Sequence, residues 1–319
     1  MIDPMRNRRL LGFGPSLIGF FGSLVSILVP AAAAEFPLAP HQTAVGASEI
    51  ALPRQPDTMM DLGRRYDLGF TQLMAANRGV NPWMPAIGKP ITVPNYYLLP
   101  DAPQSGLVIN LAEQRLYYYP AGNKTVETYP IGIGVIGAGT PLGMTRISAK
   151  EADPAWYPPP SIHRERPELP SFIAAGPDNP LGAYALRLGA TNILLHGTNK
   201  PDGVGRDVSH GCMHLYPEDI ERLFHEIPVG MAVRVVDQEV KAAWVGVDLF
   251  VEIHPTKDQG DELDITNMMT PAPPPPDLEG RVKGVAGAQA GRVDWTEVRR
   301  VGLERTGIPT RVTMGGPSL

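Results

Sequence analysis

Cysteine is almost absent: Cys212 is the one sulfhydryl in 319 residues, which excludes an internal disulfide. A strong charge imbalance is absent too. The net charge of −5 leaves no basic footprint for nucleic acid. Long regular elements are unexpected, because 35 of the residues are proline, against a usual frequency of about 5%. Proline ends helices and interrupts ladders, so short strands, many loops and few long helices are predicted. An apolar content of 43% still supplies a sizeable core, and the length suits two or so domains.

The N-terminal stretch combines Arg6, Arg8 and Arg9 with an apolar run from Leu10 to Val29. Pro30 and four alanines, Ala31 to Ala34, follow. Basic flank, apolar centre and small-residue site describe a secretory signal, 1–34, cut near Ala34. An uncleaved membrane anchor is the alternative. Export sharpens the meaning of Cys212, since a lone thiol sent to an oxidising compartment needs a chemical reason to be there.

Residues 35–55 read as an extended leader without periodicity. Thr58 can cap a helix through Met60, Leu62 and Tyr66, and Phe70 to Asn77 forms a second. A strand at Pro90 to Pro94 closes a small module, 56–101, and no strand is assigned before it. Gly106–Leu111 reads as a strand and Gln114–Pro120, rich in apolar and aromatic residues, as another, which predicts a hairpin turning at Ala112-Glu113. Thr125 to Gly134 gives a third strand. Gly132-Ile-Gly134-Val-Ile-Gly137 fits a dinucleotide fingerprint, but Thr140-Pro141 follows where a helix would have to start. Those glycines read instead as close backbone approach.

The proline-rich stretch 151–183 suggests a stiff lid offering Trp156 and Tyr157 to substrate; aromatics packed under their own loop are equally expected. Short strands at Ala185–Leu188 and Asn192–His196 deliver His196 to a strand end. An amphipathic helix opens at Pro217, and Gly230 to Val236 closes the β region. Beyond it, 238–319 adds β structure, the stiff run Pro271 to Pro276, and a short helix capped at Asp294.

The chemistry concentrates in Ser209-His210-Gly211-Cys212-Met213-His214 and Leu194-Leu195-His196-Gly197-Thr198-Asn199. A thiol attacks as thiolate and needs a base. Cys212 is the candidate nucleophile and His196 the proton donor and acceptor. Backbone amides at Gly211 and Cys212 can hold an oxyanion. No aspartate is placed to orient His196, so the Gly197 carbonyl is the candidate. His210, Cys212 and His214 at two-residue spacing, with His196, could also ligate zinc, though such tight spacing is uncommon for that metal. No metal and no cofactor is expected.

These two stretches resemble the catalytic domain of the L,D-transpeptidase (YkuD-type) family, over 105–237. Asp57-Thr58-Met59, Arg64-Arg65-Tyr66, Asn77, Gly88 and Ile91-Val93-Pro94 make the preceding module similar to a LysM domain. The resemblance implies a mainly β protein: a β-sandwich-like catalytic domain, a small α/β module before it and a short C-terminal extension. It implies a periplasmic enzyme acting on peptidoglycan through a Cys212 thioester. Tetrapeptide stems would donate the acyl group. A neighbouring stem or an outer-membrane lipoprotein would accept it. A carboxypeptidase or other hydrolase, or a non-catalytic wall-binding protein, is the alternative. For the module, glycan binding and a structural spacer both stand open. Substrate contacts are expected from Ser209, His210, His214, Thr198, Asn199, Arg206, Trp156 and Tyr157. Many relatives carry Arg two residues after the cysteine, where His214 stands here; Arg206 and Arg187 could substitute for it.

Overall fold

The computed structural model describes residues 34–122, 124–134, 141–209 and 212–315, with backbone alone at 208 and 209. The signal segment before Ala34, the glycine of the fingerprint at 137, His210, Gly211 and the Ser209 side chain lie outside the described residues.

The molecule is mainly β and is built on a nine-stranded sheet that curls over itself. In spatial order the strands are Ala34–Pro37, Thr125–Pro130, Arg115–Tyr119, Gly106–Asn110, Ala232–Val236, Gly143–Ala152, Tyr184–Leu188, Leu194–His196 and Met213–His214. Neighbours are antiparallel except at two joints. Gly106–Asn110 runs parallel to Ala232–Val236, and Leu194–His196 runs parallel to Met213–His214. The curl closes where the chain beyond Pro130 reaches across to the last strand. There Gly132 N donates to His214 O at 2.8 Å, and His214 N returns a bond to Gly132 O at 3.0 Å. Ile133–Gly134 then pairs in parallel with Asp207–Ser209.

The hairpin Gly106–Asn110/Arg115–Tyr119 is buried on both faces, which is why it reads as a nearly continuous apolar run. Side chains alternate across a strand. Leu107, Ile109, Leu116 and Tyr118 therefore join one core with Ile220 and Leu223 of the helix Pro217–Glu226. Val108, Tyr117 and Tyr119 join another with Leu38, Val45 and Tyr97. The longest strand, Gly143–Ala152, is one the sequence did not single out, because exposed Met144 and Arg146 and the polar residues after them leave no continuous apolar run.

The leader region 35–55 is not featureless: it supplies strands at Ala34–Pro37, Ala44–Gly46 and Glu49–Ala51. The last pairs antiparallel with Ile91–Val93 and encloses the helices Met59–Arg65 and Phe70–Ala76. Thr58 and Asp61 form a reciprocal cap, Asp61 N to Thr58 Oγ1 at 3.1 Å and Thr58 N to Asp61 Oδ2 at 2.9 Å. The strand was hidden in the sequence because its partner lies 40 residues on and two of its three residues are exposed.

After Val236 come a hairpin, Val240–Val245/Asp248–Ile253, and the helices Lys257–Thr266, Leu278–Ala286 and Trp295–Glu304. Asp294 caps the last, as its sequence spacing predicts. This segment has its own core around Val251, Leu278, Val282 and Val298. It also lends Leu263 and Met269 to the core of the β-α-α-β module. Among the described residues no helix is long and apolar enough to cross a membrane.

Candidate active site

Two adjacent strand ends carry the candidate chemistry. The parallel register pairs Leu195 with Met213 and His196 with His214. Cys212 immediately precedes Met213, at the start of the strand that pairs beside His196.

His196 is buried, and its Nδ1 lies 2.6 Å from the carbonyl oxygen of its neighbour Gly197. A carbonyl only accepts, so Nδ1 carries the hydrogen and Nε2 the lone pair. Burial lowers the imidazole pKa, and the nearby His214 lowers it further, to about 4, although the Gly197 bond works the other way. The ring is neutral at physiological pH. Gly197 itself has little room to be anything else: a Cβ there would come within 3.1 Å of Ile220 Cγ2.

Cys212 is half-buried, with Sγ 3.9 Å from the carbonyl oxygen of Asn192. Burial raises its pKa, while the Leu194 backbone and the Arg187 charge act in the opposite direction. At rest the sulfur is therefore a thiol, and the His196 imidazole is neutral.

The other sequence candidates divide by position. His214 is buried, its ring centroid 6.3 Å from that of His196, and its Nε2 lies 2.9 Å from Gly203 O. Gly132 permits this: a Cβ at 132 would stand 2.1 Å from the imidazole Cε1. The close approach expected of the glycine run thus serves a histidine ring. Arg206 lies with its guanidinium carbon 3.6 Å from the Phe70 ring centroid and pairs with Asp264, so it ties the Lys200–Asp207 loop to two helices. Thr198 Oγ1 accepts from Lys200 N at 2.9 Å, and Asn199 Nδ2 donates to Asp178 O at 3.0 Å. Asn199 therefore connects the histidine strand to the proline-rich stretch. In that stretch Trp156 pairs with Ile173 through the backbone, and Tyr157, well exposed, stacks on Phe172 at 6.0 Å. Asn192 and Gly203, whose carbonyls meet the sulfur and the second imidazole, had no sequence signal, since any residue supplies a carbonyl.

Among the described residues, Glu113, Glu252 and His254 have metal-ligating proximity, and Cys212 is not among them. Lys241 Nζ already sits 2.8 Å from both carboxylates and fills the cation's place. A cleft of about 680 Å³, lined by Gln114, Asp207, His254 and Lys257 among others, does not include Cys212.

The family model for the YkuD L,D-transpeptidase catalytic domain matches residues 104–235. The chain is 36% identical, over 98% of its length and 100% of the relative's, to a probable L,D-transpeptidase ErfK/SrfK of Salmonella typhimurium. It is 40% identical to the probable L,D-transpeptidase YcfS of Escherichia coli, over 70% of this chain and 73% of that one. Against the probable L,D-transpeptidase YbiS of Escherichia coli the identity is 45%, over 56% and 59%.

Proposed function

The chain belongs to the L,D-transpeptidase family, and from that premise we propose that it transfers peptidoglycan acyl groups through a thioester on Cys212. The observation that supports this reading is the parallel register of Leu194–His196 and Met213–His214, the strand that begins directly after Cys212.

Because the resting sulfur is a thiol, His196 acts as general base during attack, not as half of a standing ion pair. Nε2 takes the Sγ proton as sulfur bonds to the carbonyl carbon of diaminopimelate in a tetrapeptide stem. Backbone amides at 211 and 212 hold the oxyanion. The C–N bond to the terminal D-alanine then breaks, and Nε2 returns the proton to the departing amine. An acceptor amine repeats the cycle in reverse and releases the sulfur. That acceptor is the side-chain amine of a neighbouring stem or a lysine of an outer-membrane lipoprotein.

The enzyme works in the periplasm, after export on the basic and apolar N-terminal stretch. The β-α-α-β module holds glycan, offering exposed apolar side chains at Leu52, Trp83, Met84 and Ile87.

Incubating purified sacculi with the enzyme and separating the muropeptides tests the reading. Direct cross-links or lipoprotein-bearing muropeptides are expected. Cys212→Ala should lower transfer by more than about a thousandfold while leaving sacculus binding intact. Shortened stems alone would instead mean that water is the acceptor, and transfer that survives in the variant would remove the thioester.

A further inference from the structure

A buried charge cluster lies where the N-terminal strand, the helical module and the Pro217–Glu226 helix meet. Ala34 N donates to Asp67 Oδ2 at 3.0 Å and opens the edge strand of the sheet, opposite Thr128. Asp67 is 4% exposed and faces the carboxyl of Asp219, which is 3% exposed. Asp219 Oδ2 has no hydrogen-bond partner among the described residues.

The cation in this cluster is Arg115, which is fully buried. Its hydrogen bonds go elsewhere: to Thr128 Oγ1 at 3.0 Å, Gln72 Oε1 at 2.7 Å and the backbone oxygen of Asp67 at 3.0 Å. Arg64 also faces Asp219, but it forks onto Glu218 at the surface, with two bonds of 2.7 Å. Tyr216, the remaining polar side chain here, donates to Leu68 O. Among the described residues two carboxyls, hydrogen-bonded to each other, therefore share one buried guanidinium, and both can be ionised only if a further positive charge joins them. Burying an unbalanced carboxylate is costly. Burial accordingly raises the Asp67 pKa to about 6 and that of Asp219 well above its ordinary value, with Asp67 adding to the rise.

We propose that signal cleavage falls between Ala33 and Ala34 and that the new α-ammonium of Ala34 binds in the Asp67–Asp219 pair. The proposal rests on the export reading above. Hydrolysis by a signal peptidase breaks one C–N bond: water gives its hydroxyl to the Ala33 carbonyl carbon and its hydrogen to the Ala34 nitrogen. That amine then takes a second proton from solvent. An amide there has one N–H, already used on Asp67. An ammonium has three, so a second is available for the unpartnered Asp219 oxygen, and its charge balances the cluster. The consequence reaches the site. The helix bearing Asp219 begins three residues after His214 and packs Ile220 against Gly197. Processing thus fastens the first strand to the helix that supports the catalytic strands.

Intact-mass analysis of the enzyme recovered from the periplasm should give a chain starting at Ala34. Any other start, including Glu35 or an uncut chain, overturns the proposal. An exported chain cut elsewhere leaves the export reading standing, whereas an uncut chain confined to the cytoplasm removes both. The second measurement compares thermal unfolding of the Ala34-start protein with the same protein acetylated at Ala34. With the nitrogen blocked, Asp67 titrates near 6 in the folded state against an ordinary 3.8. The folded state then binds the extra proton, and stability falls as pH rises through that window. The ammonium cancels that loss. The Ala34-start protein should melt several degrees higher at pH 7, the gap should close toward pH 4, and Asp67→Asn or Asp219→Asn should shrink it. Equal melting at pH 7 overturns the docking, and because this comparison changes no side chain it holds even if those variants fail to fold.

Discussion

At the scale of single residues, the candidate base is tuned by burial. His196 has a folded pKa near 4 against an ordinary 6.5. The acidic limb of kcat/KM should therefore fall near pH 4, well below the ordinary histidine range, in a pH–rate profile with a stem-peptide donor. The same shift has a stability consequence. Between pH 6.5 and 4 the unfolded chain binds the proton and the folded one does not, so stability drops as pH falls through that window. Urea unfolding at pH 4.5 and 7 should show this slope, and His196→Gln should flatten it. His214 is a different case. It is buried against Gly132 and bonded to Gly203 O. His214→Arg should cost about 1–3 kcal/mol through overpacking, measured as a lower urea midpoint, and should not raise transfer.

At the scale of elements, the Lys200–Asp207 loop is held by contact with the helical module. Gly205, at φ +77°, lies so close to Gly69 that a Cβ would stand 2.2 Å from the Gly69 Cα. Phe70 N donates to Val204 O at 3.1 Å and Thr71 N to Gly205 O at 3.0 Å, so a helix start docks on the loop's backbone. Gly205→Ala combines a left-handed backbone with a backbone clash and should destabilise by about 2–4 kcal/mol, read from denaturant midpoints. Because that loop leads directly into the cysteine stretch, transfer should fall further than the lost folded fraction explains. The proline-rich stretch 151–183 is pinned in a comparable way. Asn179 is fully buried and donates to Pro154 O at 2.7 Å while accepting from Leu181 N at 2.8 Å.

At the scale of the whole molecule, the C-terminal segment is part of the structure that carries the site. Lys241 Nζ, buried, is 2.8 Å from Glu113 in the catalytic sheet, 2.8 Å from Glu252 in its own hairpin, and 2.7 Å from Leu98 O. Glu252 returns a bond from Leu98 N at 2.7 Å. Burial pushes the Glu113 carboxyl up, but Lys241 and His254 outweigh it and hold it below its ordinary value. Lys241→Ala would leave two buried carboxylates without their cation and should cost about 3–5 kcal/mol, seen as a lowered Tm. This joint was illegible in the sequence: Glu113 reads as a turn residue, and its partner lies 128 positions away. Local signals fared better. The apolar and aromatic runs at 106–120, the Thr58 and Asp294 caps and the proline-started helix at 217 are short-range physics, and each appears where the sequence put it. The sequence alone thus determined a mainly β chain with one thiol and a histidine at a strand end, because apolar runs, capping and thiol chemistry depend on neighbours in the chain. Only the tertiary structure decided that those two strands lie side by side in parallel, that His214 turns inward and that Asp67 meets Asp219. Register, burial and charge balance depend on residues brought together by folding from distant parts of the chain.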